Sequence, residues 1–201
     1  MSRDRIIEAA TRMVVTGGVD ALSMRKLAAE LGVAPTAIYW HVGGREQLLG
    51  AVFEEMLATM PPILVRGDTP LERIAGIARS IRQQVRDAPV VQQLAQHLGR
   101  TPEGVFPGHL ALAREVTATG LAGDDAADAV RSILFLIGGF VLLEGTFRRR
   151  PPGARTSQEL WQAIAEPDIE PELTASMTKP ADPDALFEYA VDRLVRSILP
   201  A

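Results

Sequence analysis

The chain has 201 residues, of which 47% are hydrophobic and 23% charged, and this composition is typical of a globular protein with one or two domains. It contains no cysteine, which excludes a disulfide framework and a cysteine-ligated zinc site. The net charge is −4, but residues 1–50 carry six basic and five acidic side chains, so the acidity lies in the C-terminal part. The first fifty residues are therefore the part best able to approach an anion such as DNA.

Two further features bear on location. The N-terminal segment MSRDRIIEAA is charged and lacks an apolar core, so we expect it not to be a secretory signal. The longest apolar run, ILFLIGGFVLL at 133–143, is shorter than the about 20 residues that a membrane-spanning helix needs. We predict a cytoplasmic protein without membrane contact, in which this run is a buried helix.

Helical spacing of apolar residues, with glycine and proline between the periodic segments, predicts an all-α chain. Ser2 and Ser23 are suited to cap the first two helices, and Pro35 suits the first turn of the third. A fourth helix is predicted from Arg45. Further helices are predicted over 70–87, 90–99, about 107–120, 124–148 and 184–199. The polar, proline-rich segment 149–183 is expected to hold one short helix, near 158–165.

The second and third predicted helices form a helix-turn-helix signature, because both are short and a glycine-containing turn, GVA at 32–34, joins them. Ile38 and Val42 lie four residues apart and can share the inner face of the third helix. The outer face then presents Thr36, Ala37 and Trp40, flanked by Tyr39 and His41. Such a helix reads base edges in the major groove while flanking donors hold phosphates. The alternative is that Tyr39 and Trp40 are half-buried against the fourth helix.

From Arg3 to about Leu57 the chain resembles the TetR family of bacterial transcriptional regulators. The resemblance is carried by RIIEAATRMVVTGGVDALSMRKLAAELGVAPTAIYWHVGGREQLLGAVFEEML, in which IYWHV is most similar to the tetracycline-repressor branch. It implies a helix-turn-helix DNA-binding domain over 1–45, and an all-helical domain over 46–201 that binds an effector and dimerises, with helix four as connector. It also implies a homodimer on palindromic double-stranded operator DNA, with a repressor released by a small-molecule effector as the default.

The resemblance also implies DNA contacts by position. These would be Ser23, Arg25, Pro35, Thr36, Ala37, Tyr39, Trp40, His41 and Arg45. Pro35 stands where the tetracycline-repressor branch has glutamine, and the next two residues also differ. The base preference of this chain should therefore differ from that branch.

Three polar residues in apolar stretches are candidates for an effector site: His97, Arg100 and Glu144. The segment HLGRTP resembles the family's metal-ligating segment, so His97 and Glu144 would hold an effector chelated to Mg²⁺. Arg100, however, stands where the family has threonine, and a cation beside a divalent ion is unfavourable. We therefore predict no protein metal site, and the three residues would line an effector pocket. The alternative is a helix-end histidine and a satisfied buried glutamate.

The helix predicted over 124–148 is apolar nearly all round, so it must be buried on more than one side. Together with the last helix it would form a four-helix dimer interface with a second copy, or else belong to an intrachain core.

Two other functions are alternatives to a regulator. An enzyme using His97 and Glu144 as acid and base lacks a nucleophile or phosphate-binding motif, and an architectural DNA-binding protein would have no effector. We predict a regulator and not an enzyme.

Overall fold

The computed structural model describes residues 1–100, 107–148, 153–154, 156–163 and 170–199, and every regular element in these ranges is helical. The all-α prediction is confirmed. A 3₁₀ turn at Val19–Ala21 lies between the first two α-helices. The α-helices are α1 Arg3–Gly17, α2 Met24–Leu31, α3 Pro35–Val42, α4 Arg45–Ala58, α5 Pro70–Asp87, α6 Pro89–His97, α7 Pro107–Thr117, α8 Gly123–Arg148, α9 Ser157–Gln162, α10 Pro171–Met177 and α11 Pro183–Ile198.

Side-chain caps fix where several of these helices begin. The hydroxyl of Ser2 accepts the N–H of Arg5 at 3.3 Å at the start of α1. Ser23 caps α2 in the same way, and Asp182 caps α11. Such caps satisfy backbone N–H groups that have no partner within the helix. The helix starts predicted from Ser2 and Ser23 are confirmed.

A first hydrophobic cluster is built by α1, α2, α3 and α4 together with α6. Helix α6 contributes Val91, Leu94 and Ala95, all buried, and it packs against both α4 and the 3₁₀ turn. The domain boundary predicted after residue 45 lies just beyond the helix-turn-helix motif. The apolar packing of the first cluster continues past this boundary, through α4 and α6.

A second hydrophobic cluster is built by α5, α7, α8 and α11. Phe187 of α11 is fully buried, and its ring meets that of Phe140 of α8 edge-on, with centroids 5.1 Å apart. Gly108 lies where α7 crosses α5, and a Cβ atom there would collide with Ile81 and Ile63. A glycine at this position therefore permits the close approach of the two helices.

One face of α8 is not covered by the residues that the structure describes. Phe135 is 69% exposed, and Leu142 and Leu143 are also exposed, while a Cβ atom at Gly138 or Gly139 would meet only open space. The single chain buries α8 on one side only, and burial of the other face by a second copy stays a prediction. By length and composition Gly123–Thr146 also qualifies as a membrane span, a test that the core helix of a soluble protein passes as well.

Between α8 and α11 the described residues form two short helices, α9 and α10, which contact each other and bury none of their residues. The sequence predicted one helix here, and it did not predict α10. This helix begins with a proline and continues for only about two turns. So few residues do not show a clear helical period of apolar side chains, so the helix could not be predicted from the sequence.

Candidate DNA-binding surface and effector region

The helix-turn-helix is formed by α2, a tight turn and α3. Helix α2 ends at Gly32, whose φ of 69° is in the left-handed region that favours glycine. The turn leads into Pro35 at the first position of α3, where a missing N–H leaves no partner unsatisfied. The chain therefore turns within three residues, and α3 packs against α2.

Helix α3 has one buried and one exposed face. Ile38 is fully buried and Val42 nearly so, both within the first hydrophobic cluster. On the opposite side Trp40 is 89% exposed and Tyr39 is 50% exposed. The predicted orientation of the helix is confirmed, and the alternative that Trp40 is half-buried against α4 is wrong. Thr36 and His41 are exposed as well, and Ala37 is half-buried at the margin.

Helix α2 adds further exposed polar groups beside α3. Arg25, in its first turn, is exposed and makes no hydrogen bond or ion pair with the residues that the structure describes. Ser23 is engaged as the cap of α2 through its hydroxyl, which accepts the N–H of Lys26 at 3.5 Å. Arg25 is thus a cation available to an anionic partner, while Ser23 has a structural role.

Arg45 was predicted to contact DNA, and its surroundings give it a different role. Its Nε donates to the carbonyl of Leu22 at 3.1 Å, and Nη2 donates to that of Val19 at 2.9 Å. Nη1 pairs with Glu46 at 3.1 Å. The guanidinium therefore ties the start of α4 to the turn that precedes α2 and holds the two ends of the helix-turn-helix together.

His97 and Arg100 lie beside α4, in contacts separate from those of Glu144. The Nε2 atom of His97 is 3.1 Å from Glu46 Oε2, and this hydrogen bond is the main cause that lowers the pKa of the Glu46 carboxyl from its ordinary value. Arg100 pairs with Glu54 of α4 and lies over the ring of Phe53, 5.3 Å from its centroid. Both residues thus link the end of α6 to α4.

Glu144 instead belongs to a buried ion pair in the second hydrophobic cluster. Its Oε1 accepts a hydrogen bond from Arg82 Nε at 3.0 Å, and the two side chains are 9% and 7% exposed. The Arg82 guanidinium also lies over the rings of Phe187 and Phe140, 4.5 and 5.8 Å from their centroids. Arg82 was not predicted from the sequence. Its position four residues after Ala78, which is buried, places it on the inner face of α5 and was the available signal.

The structure therefore does not bring His97, Arg100 and Glu144 to one pocket. Two open clefts lie next to the helix-turn-helix, with volumes of about 510 and 730 Å³. The first is lined by Arg100 and the second by His97, and Glu144 lines neither. No group of three His, Asp or Glu side chains suited to a metal ion occurs among the described residues. The predicted site for an Mg²⁺-chelated effector thus has no support in this part of the chain.

Comparisons with known proteins agree with this geometry. Residues 6–52 match the family model described as bacterial regulatory proteins of the tetR family. The chain is 32% identical over 199 residues to the class A tetracycline repressor protein from transposon 1721 of Escherichia coli, a match that covers 94% of this chain and 87% of the relative.

Solved structures give the same result over nearly the whole chain. The transcriptional regulator SCO7222, a TetR from Streptomyces coelicolor, superposes with a TM-score of 0.70 at 27% identity, covering 98% of this chain and 97% of that one. A single-site variant of TetR from Acinetobacter baumannii AYE, in complex with minocycline, superposes with a TM-score of 0.62 at 25% identity, covering 98% and 92%. The chain belongs to the TetR family of bacterial transcriptional regulators, and it is a DNA-binding regulator rather than an enzyme.

Proposed function

We propose that this regulator is a repressor that binds palindromic double-stranded operator DNA as a homodimer and leaves it when a small-molecule effector binds its C-terminal helices. The observation that carries the proposal is the exposed face of α3. An indole that is 89% exposed, on a helix anchored by Ile38 and Val42, has no role in the fold of the chain. A large exposed aromatic group beside free cations suits a groove of DNA. A protein acting on bacterial operator DNA would work in the cytoplasm.

The proposed DNA contacts are side chains of α3 and of the first turn of α2. Trp40 and Thr36 would meet base edges, Tyr39 and His41 would donate to phosphates on either side, and Arg25 would reach a guanine or a phosphate. Arg45 is removed from this set because its guanidinium donates to protein carbonyls. Ser23 is left out as well because its hydroxyl caps α2, so the remaining set is Arg25, Pro35, Thr36, Ala37, Tyr39, Trp40 and His41.

Dimerisation is proposed through the uncovered face of α8. Phe135, Leu142 and Leu143 form an apolar patch, which soluble monomers seldom leave open to water. The two glycines between them, Gly138 and Gly139, would let a partner helix approach closely. The exposed residues of α11 would extend the patch. Two copies joined here would present two α3 helices, which must lie about 34–36 Å apart to read successive major grooves.

The effector is proposed to act on the second hydrophobic cluster, with α6 carrying the response to α4. The A. baumannii structure in complex with minocycline supports a small-molecule effector for a relative of this fold. Helix α6 follows α5 directly and packs against α4 and the 3₁₀ turn. A shift of α5 would therefore move α6 and change the spacing of the two reading helices.

The proposal is tested by fluorescence anisotropy on the DNA upstream of the gene, with the purified full chain. Arg25→Ala and Tyr39→Ala should each weaken binding by on the order of 1–3 kcal/mol, because each removes a good contact without disturbing the core. Arg114→Ala, an exposed cation on α7, is the matched control and should bind normally. Candidate small molecules are then added one at a time, and a compound that acts as the effector should release the DNA; His97 and Glu144 share no pocket, so a tetracycline is not the expected effector. Unchanged binding by both variants would contradict the assigned surface.

A further inference from the structure

The exposed face of α3 carries an unusual set of side chains for a helix that reads DNA. The helix contains no Arg, Lys, Asn or Gln. Its outer residues are instead Pro35, Thr36, Ala37, Tyr39, Trp40 and, in the last turn, His41, which is proposed to contact a phosphate. In the major groove Arg and Lys pair with guanine, and Asn and Gln pair with adenine in a bidentate manner. Small apolar and aromatic side chains contact the C5-methyl group of thymine.

The long polar side chains next to α3 do not supply the missing readers. Arg45 donates to the carbonyls of Leu22 and Val19. The side-chain carbonyl of Gln47 accepts the N–H of Gly44 and so closes the turn between α3 and α4. A glutamine needs both its carbonyl and its amide nitrogen to pair with adenine, so Gln47 is unavailable for that contact. Within the described part of the motif, the exposed cations that remain are Arg25 and Lys26 of α2.

We infer that α3 reads its half-site through the methyl groups of at least two adjacent thymines, so that the operator is rich in A·T pairs under this helix. This inference rests on the proposed operator binding and names the chemistry by which the operator is recognised. Trp40 provides most of the apolar area, since its indole is almost wholly open to water in the free protein. Burying that ring against thymine methyls removes apolar surface from water on both sides of the contact.

The test removes single methyl groups from the DNA. The full chain first selects its binding sequence from a library of random duplexes, each about two helical turns long. Each thymine of the enriched half-site is then replaced by uracil, which keeps base pairing and the minor-groove edge and removes only the C5-methyl group. A buried methyl group corresponds to about fourfold in affinity, so changing one contacted thymine in both half-sites should weaken binding about fifteenfold. Uracil in the flanking sequence should have no effect.

Trp40→Ala provides the matched protein variant. The side chain is exposed, so the melting temperature should not change, and binding to the thymine duplex should weaken. At the thymine that Trp40 contacts, the variant should bind thymine and uracil duplexes equally, because the partner of the methyl group is gone.

Two results would overturn the inference while operator binding stands. One is an enriched half-site specified by G·C pairs under α3. The other is an A·T-rich half-site that is indifferent to uracil, which would indicate that groove shape is read instead. If the selection enriched no sequence at all, the proposed operator binding itself would fail, and the two failures are thereby distinguished.

Discussion

Replacing Glu144 with alanine removes the buried partner of the Arg82 guanidinium. The two side chains are almost wholly buried, and the pair joins α5 to α8 within the second hydrophobic cluster. Removing one member of such a pair costs about 3–5 kcal/mol, because the remaining charge is left uncompensated in the interior. Asp184 Oδ1 stays 2.7 Å from Arg82 Nη2 and is exposed, so it offsets part of the loss. We expect the lower end of the range, about 3 kcal/mol.

For a chain of this length, a loss of about 3 kcal/mol lowers the melting temperature by roughly 6–12 °C, which calorimetry and urea unfolding both measure. Arg12→Ala is the control, since its ion pairs with Glu8 and Glu30 are exposed and lie away from α8, and a change below about 1 kcal/mol is expected. The double variant Arg82→Met with Glu144→Leu should recover most of the stability, because apolar side chains of similar volume replace a buried pair without loss. A Glu144→Ala protein as stable as the parent would refute this reasoning and favour an effector contact instead.

Three further predictions concern other parts of the chain. If the chain forms the proposed dimer, Phe135→Glu should give a folded monomer in light scattering, because the new charge would lie in the α8 interface. A Phe135→Glu protein that still dimerises would refute this interface. Gly108→Ala should cost about 1–3 kcal/mol in urea unfolding, since the side chains of Ile81 and Ile63 must shift to admit the new Cβ atom. Backbone N–H groups of Thr69 and Asp68 lower the pKa of the Glu72 carboxyl from its ordinary value. The ionised side chain therefore stabilises the folded state at neutral pH, and this stabilisation is lost as the pH falls through the lowered pKa. Glu72→Gln should therefore lower the melting temperature at neutral pH but not in acid well below that pKa.

Helix boundaries and the orientation of α3 could be predicted from the sequence because their causes are local. Ser2, Ser23 and Asp182 accept N–H groups two or three residues away, and proline or glycine fixes the adjacent backbone. Ile38 and Val42 are four residues apart, and a helix must place them on one face. The exposure of the indole of α3 follows from that geometry, so the outward face that is proposed to read DNA could be predicted from spacing alone.

The pairing of long charged side chains could not be predicted, because it depends on contacts between distant parts of the chain. His97 meets Glu46 across 51 residues, and Arg82 meets Glu144 across 62. A histidine or glutamate in an apolar stretch looks the same in sequence whether it faces a ligand or an ion partner. The choice between a dimer interface and an intrachain core for α8 stayed open for a related reason, since an apolar residue such as Phe135 does not indicate whether its own chain or a second copy covers it.

The position of α6 bears on how an effector could act at a distance. By its place in the sequence, α6 belongs to the proposed effector-binding domain. Leu94 and its neighbours are nevertheless buried in the first hydrophobic cluster, together with the helices that hold α3. Arg45 and His97 add polar contacts at that junction. Because packed interiors are dense, α6 cannot move appreciably without displacing α4. An effector that favours one position of α6 must therefore alter operator affinity, and operator DNA must alter effector affinity by the same factor.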